Sequence, residues 1–248
     1  MIGWAVVAIA KDPTAVVQSL TDEVTIDWTN LEVEVQATAQ APAVGSLRAI
    51  EELARQNIAK TLQRALPRVP LTATIALGAI QTDPVLDAPI AARQARWQVT
   101  EAQYATSGTV RLTASLSLAS VVKPWVLANA LPEATSAVDP PFTGVLVDAR
   151  AVDVSMAVAP RIVTEDGEVL FDGRLDAFSA VTRAPVRYVA SPAHRRADQA
   201  GERPWRLLAT AVQSEVDLIV AEVDPAERAS ALQVLQSGEI IIVVRDGR

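Results

Sequence analysis

Asp148 and Arg150 close an apolar run, Thr143-Gly144-Val145-Leu146-Val147-Asp148-Ala149-Arg150, and their spacing puts both on one face of a regular strand. A carboxylate and a guanidinium so placed could bind a polar ligand or position a proton. The same spacing also makes an ion pair that fixes the strand end, and structural pairs of this kind commonly imitate sites. The strand-end pair is the expected arrangement. Asp153, Glu165, Asp166 and Glu168 form a looser acidic set that could collect Ca²⁺, yet calcium loops need oxygen ligands at short, fixed spacing. A type I′ hairpin turn at Asp166-Gly167 accounts for them more simply. His194 is the sole histidine. It stands beside Arg195 and Arg196 in a polar loop, residues 191–203, and is expected to be exposed, whereas a general base needs an orienting partner and a cleft. Arg195 and Arg196 could touch anionic lipid or an acidic partner. Two charges fall short of the about 4–8 that a lipid-binding cluster carries.

The wider inventory excludes much chemistry. The chain has no cysteine, which removes thiolate nucleophiles, disulfides and Cys-based metal sites together. Its three lysines, Lys11, Lys60 and Lys123, lie away from any glycine-rich turn, so no phosphate loop exists. A net charge of −7 gives no basic footprint for nucleic acid. A hydrolase built on paired carboxylates would need two Asp or Glu about 5–9.5 Å apart, which spacing alone does not supply. Aromatic residues make up only 4 %, so Trp28, Trp97, Trp125 and Trp205 are expected as anchors where helices meet sheets. An exposed Trp28 or Trp97 would instead mark an interface. Neither cofactor nor metal is expected.

These residues must be positioned by a chain of 248 residues, half of them apolar, enough for one large or two small domains. Leu31, Val33 and Val35 alternate with Glu32, Glu34 and Gln36, the pattern of a half-buried strand. Gly45-Ser46 opens an amphipathic helix that Pro67 closes, with Leu47, Ile50, Ala54, Ile58, Leu62 and Ala65 on one face. Asp83-Pro84 starts a helix, which Pro89 is expected to break into short pieces. Residues 97–104 and 109–116 form a hairpin around Ser107-Gly108. A helix over 119–130 follows despite Pro124. The break at Asp139-Pro140-Pro141 is the expected boundary between units. Beyond it come strands at 186–189 and 216–220, and a helix from Pro204 to Gln213. A last helix is capped by Asp224-Pro225 with Glu227 in a capping box, and ends at Gly238. Glu239 to Arg245 then reads as a central strand, apolar on both faces.

These segments together resemble the LPP20-like bacterial envelope proteins, a group related to small outer-membrane lipoproteins and to the N-terminal domain of flagellar assembly protein T. The resemblance rests on Ile26-Asp27-Trp28-Thr29-Asn30, on Val44 to Ala54, and on Thr143 to Arg150. Ala159-Pro160-Arg161-Ile162, Asp166-Gly167 and the ending Leu235 to Val244 complete it. It spans about residues 25–246 and is closest in character to Arg-rich delta-proteobacterial members. It implies export and a role in envelope or flagellar-ring assembly, with no catalytic residues to carry over. The lipobox cysteine of the lipoprotein members is missing here, so no lipid anchor is expected.

The expected fold is α+β, with two small α/β units whose mixed sheets are each packed by amphipathic helices. Residues 1–23 would be a short export signal and extension, with Ala8-Ile9-Ala10 fitting a cleavage site before Lys11. Residues 24–138 and 141–248 would be the two units. No other apolar run approaches the roughly 18 residues that span a bilayer. The expected function is a non-enzymatic, exported assembly or interaction module, periplasmic or outer-membrane associated, whose partners are other proteins or copies of itself. The alternative is a small-molecule or glycan-binding module using a cleft between the units, lined by Trp97, Tyr104 or Trp125.

Overall fold

A computed structural model describes residues 12, 14–40, 46–132 and 141–245. The expected export signal at residues 1–10, the Gly45 turn and Asp139-Pro140 of the expected boundary lie outside the described residues. The fold is α+β, with two units and two sheets. The first sheet holds β1 (Val17–Thr21), β2 (Val24–Asp27), β3 (Glu32–Gln40), β4 (Gln98–Tyr104) and β5 (Thr109–Ser117) in the order β1-β2-β3-β5-β4. Every pairing in it is antiparallel. Val33, Val35, Ala37 and Ala39 of β3 face inward, directly opposite Leu116, Ala114, Leu112 and Val110 of β5. Such cross-strand aliphatic pairs are the unit of sheet stability.

That apolar face is covered by α1 (Leu47–Ala65), whose buried stripe is Ile50, Ala54, Ile58, Leu62 and Ala65. Ser46 caps it by accepting the Ala49 amide. Leu47, expected on the same stripe, is 55 % exposed. After the single turn α2 (Leu77–Ile80), α3 (Pro84–Gln94) runs unbroken through Pro89. The expectation of short pieces fails because Pro89 removes one bond only, to the Val85 carbonyl, and Val85 lies in a water-exposed first turn. The fifth strand passes straight into α4 (Leu118–Ala128), capped by Ser117 and carrying Pro124 inside.

The second sheet is mixed. It comprises β6 (Gly144–Asp148), β7 (Ile162–Thr164), β8 (Val169–Phe171), β9 (Val186–Val189), β10 (Pro204–Gln213), β11 (Asp217–Val220) and β12 (Ile240–Val243). Their order is β8-β7-β11-β10-β6-β12-β9. The strand β12 lies between β6 and β9, parallel to both, with all four residues buried. Among the described residues this unit has two α-helices, α5 (Ala177–Thr182) and α6 (Pro225–Gln236). The Asp224 carboxylate caps α6 by accepting the Ala226 and Glu227 amides. The Glu227 carboxylate, expected in a capping box, instead accepts the Trp205 indole N–H at 3.4 Å.

Two local expectations are overturned here. Residues 204–213 form a strand, not a helix. Trp205, Leu207 and Ala209 are buried while Arg206, Leu208 and Thr210 are exposed, a period of two that the Leu207-Leu208 doublet disguised. Pro204, which imitated a helix start, is tolerated as the first residue of a strand. The turn at Asp166-Gly167 is not type I′, because only Gly167 (φ +89°) has a positive φ there.

The turn between β10 and β11 is under backbone strain. Ser214 (φ 53°) and Glu215 (φ 68°) both occupy the left-handed region without being glycine, at about 1 kcal/mol or more each. Ser214→Gly is therefore expected to stabilise the protein by about 0.5–1 kcal/mol, read as a higher urea midpoint. An unchanged or lower midpoint would show that the turn is relaxed.

One hydrophobic core runs through both units. Trp28 meets Tyr188 edge to face, with ring centroids 5.8 Å apart. Between them the Thr29 hydroxyl accepts the Val16 amide and donates to the Tyr188 carbonyl at 2.7 Å. Val158 and Ala159 donate their amides to the Pro70 and Leu71 carbonyls, and Leu131 donates to Leu175. The opposite face of the second sheet is covered by residues 191–203, whose Ala197 and Ala200 pack on Leu146, Val189, Ile241 and Val243.

Candidate functional site

The strand-end pair is present. Arg150 Nε and Nη2 donate to both Asp148 oxygens at 2.9 and 2.6 Å, and the Arg150 amide donates to Oδ1 at 3.2 Å. Those hydrogen bonds hold the Asp148 carboxyl below its ordinary value of 3.8. A depressed carboxyl stabilises the fold above its unfolded pKa, and that contribution is lost as pH falls through the lowered value. Asp148 is half-buried at 32 % and Arg150 exposed at 50 %, so screening keeps the pair's worth to about 1 kcal/mol or less. Asp148→Asn should accordingly shift stability by less than about 1 kcal/mol at pH 7 and less still near pH 3. A larger loss in urea titration would mean that Asp148 does more than close its strand.

His194 departs from expectation. It is buried, because residues 191–203 fold down onto the sheet instead of standing in solvent. Its Nδ1 accepts the Arg196 amide at 3.0 Å, which places the ring proton on Nε2, aimed at Asp12 Oδ2 at 3.1 Å. With both nitrogens engaged, the ring has none left to take a proton from a substrate. Asp12 itself is drawn down to about 2, first by the hydroxyl and amide of Thr14 and then by His194.

The remaining residues are dispersed. Arg195 is exposed, whereas Arg196 donates through Nε and Nη2 to Asn30 Oδ1 and so ties the second unit to the first. Trp28 is fully buried, Trp125 and Trp205 are buried, and Trp97 is half-buried against the core. None of the four is an exposed hot spot. In the acidic set, Asp166 accepts the Thr164 hydroxyl and Glu168 pairs with Arg228 of α6. Among the described residues no three His, Cys, Asp or Glu side chains are placed to share a metal ion, and no helix is long and apolar enough to cross a membrane.

Several buried polar groups escaped the sequence. Asp217, fully buried, receives the Arg161 amide, Nε and Nη2 at 2.9, 2.9 and 2.8 Å. The Tyr188 phenol bridges the amide and carbonyl of Ala157, and burial pushes its pKa up. Lys123 donates to the Ala180 and Arg183 carbonyls at the end of α5, and burial lowers its pKa. A cleft of about 300 Å³ opens at the amino ends of β9 and β12, lined by Arg183, Arg187, Gln199 and Glu239 among others. It lies within the second unit, and none of Trp97, Tyr104 or Trp125 lines it. Tyr104 instead donates its phenol to Glu51 on α1. The one available signal was Arg187, a lone charge inside the apolar strand Val186-Arg187-Tyr188-Val189.

A family model described as the second domain of Treponema pallidum Tp0624 matches residues 144–246. The match begins at the first residue of β6 and encloses the whole seven-stranded sheet with α5 and α6. It covers less than half of the 248 residues. No curated protein matches the chain.

Proposed function

We propose that the protein is a non-enzymatic module of the bacterial cell envelope, exported to the periplasm or outer-membrane face, that works by binding protein partners or further copies of itself. The observation that carries this reading is exposed apolar side chains on two helices that pack together. On α5, Phe178 and Val181 are 69 % and 62 % exposed, and Leu127 on the neighbouring α4 is 42 % exposed. Phe178 and Val181 stand one helical turn apart, and neighbouring exposed apolar side chains are what an interaction surface requires. The resemblance of Ile26–Asn30, Thr143–Arg150 and Leu235–Val244 to LPP20-like proteins supports the location and the assembly role. The engagement of His194, Asp148 and Arg150 in internal contacts also favours binding over turnover.

The double change Phe178→Asp with Val181→Asp tests the surface. In chemical crosslinking of intact cells, the parent chain is expected to give a discrete adduct with itself or one envelope protein. The variant should lose that adduct while keeping its melting temperature. An adduct that persists, or none in the parent, would refute a binding role for this face. Turnover of a substrate by the purified protein, lost on changing His194 or Asp148, would refute the non-enzymatic reading altogether.

A further inference from the structure

The cleft at the amino ends of β9 and β12 carries an unbalanced charge. Arg183 is satisfied within it, meeting Glu239 Oε1 at 2.6 Å and the Ser237 carbonyl at 3.1 Å. Arg187 is not. It is half-buried, and among the described residues its one hydrogen bond runs from Nη1 to the Thr29 carbonyl at 3.2 Å. Burial lowers its pKa below the ordinary guanidinium value, the Arg196 charge lowers it further, and Asp27 acts in the opposite direction. The Asp27 oxygens are already engaged by the Thr29 amide and by the amide and side-chain nitrogens of Asn30. Asp27 therefore acts on Arg187 through its charge alone, and among the described residues no carboxylate hydrogen-bonds this partly buried guanidinium. Burying a charge is costly unless it is paired.

We propose that this cleft binds a small anion carrying a carboxylate or phosphate group, with Arg187 as its principal contact. The planar guanidinium fork suits either group, because it can donate two parallel hydrogen bonds to a pair of anionic oxygens. Gln199 and Thr182 line the same space and add an amide and a hydroxyl, while Ile241 gives an apolar wall. A volume of about 300 Å³ is at the small end for ligand pockets, which suits a metabolite-sized anion. Gly238 (φ +72°) also lines the cleft, and a Cβ there would lie 2.9 Å from the Ala184 carbonyl oxygen, so this wall is built of close-packed backbone. This inference stands apart from the envelope reading, since a ligand here requires neither export nor a protein partner.

Titration calorimetry of the full chain with sodium phosphate and with sodium citrate, at constant ionic strength, tests it. Saturable one-to-one binding of at least one anion is expected, and the anion that binds assigns the group recognised. Arg187→Gln should abolish the heat. Because Arg187 also holds the Thr29 carbonyl, Gln199→Glu serves as the second variant. Gln199 is exposed, so this change places a negative charge at the rim without disturbing the core, and it should weaken binding about tenfold with an unchanged melting temperature. No saturable binding of either anion, or binding indifferent to both substitutions, would overturn the proposal.

Discussion

Trp28→Ala is expected to cost about 4 kcal/mol of stability, in the range for removing a buried aromatic side chain. Trp28 is fully buried and heads the largest such side chains in the core. Its indole N–H donates to Gln18 Oε1 at 2.9 Å on β1, and its ring packs edge to face with Tyr188 on β9. Removal therefore opens a cavity where the two sheets meet and leaves Gln18 without that donor. Urea unfolding followed by far-ultraviolet circular dichroism is the measurement. The midpoint should fall sharply, and the parent chain should unfold in one transition, because one core serves both units. A loss below about 1 kcal/mol, or a variant in which only one sheet melts, would contradict a shared core.

Asp217→Ala is the second large effect, expected at about 3 kcal/mol. The carboxylate is fully buried and takes three donor groups of Arg161, one of them a backbone amide. Hydrogen bonds to a charged group are worth about 1.5–3 kcal/mol each, and an abandoned backbone donor adds its own cost. The guanidinium is 44 % exposed and can turn to water, which holds the loss below that of a fully buried pair. Asp217→Asn keeps the shape and one acceptor oxygen, so its loss should fall between those of the parent and the alanine variant. Equal stability of all three proteins would show that this contact contributes nothing.

Elements set by local pattern were legible in the sequence. The α1 stripe from Ile50 to Ala65 repeats at helical spacing, the hairpin β4–β5 turns at Gly108, and Asp224-Pro225 to Gly238 brackets α6 with its own start and stop signals. The apolar run at 239–245 announced an interior strand, and β12 is one. Where two periodicities compete, pattern misleads. Pro204 read as a helix start, and only the ladder to β6 and β11 decides for a strand. Pro89 read as a break because sequence does not show that a single lost bond lies in an exposed turn.

The candidate sites were less legible, for a physical reason. Asp148 and Arg150 are two residues apart, so their pairing could be read directly. His194 and Asp12 lie far apart in sequence and meet only because residues 191–203 fold onto the sheet. The cleft draws on residues 182–184, 187, 199, 238, 239 and 241, brought together by the parallel pairing of β9 and β12. No spacing in the chain encodes that meeting.

The proposed export to the cell envelope is tested most directly by cell fractionation with N-terminal sequencing of the recovered native protein. Recovery from the periplasmic or outer-membrane fraction, with a mature start at Lys11, is the predicted result. A protein confined to the cytosol and still beginning at Met1 would contradict it.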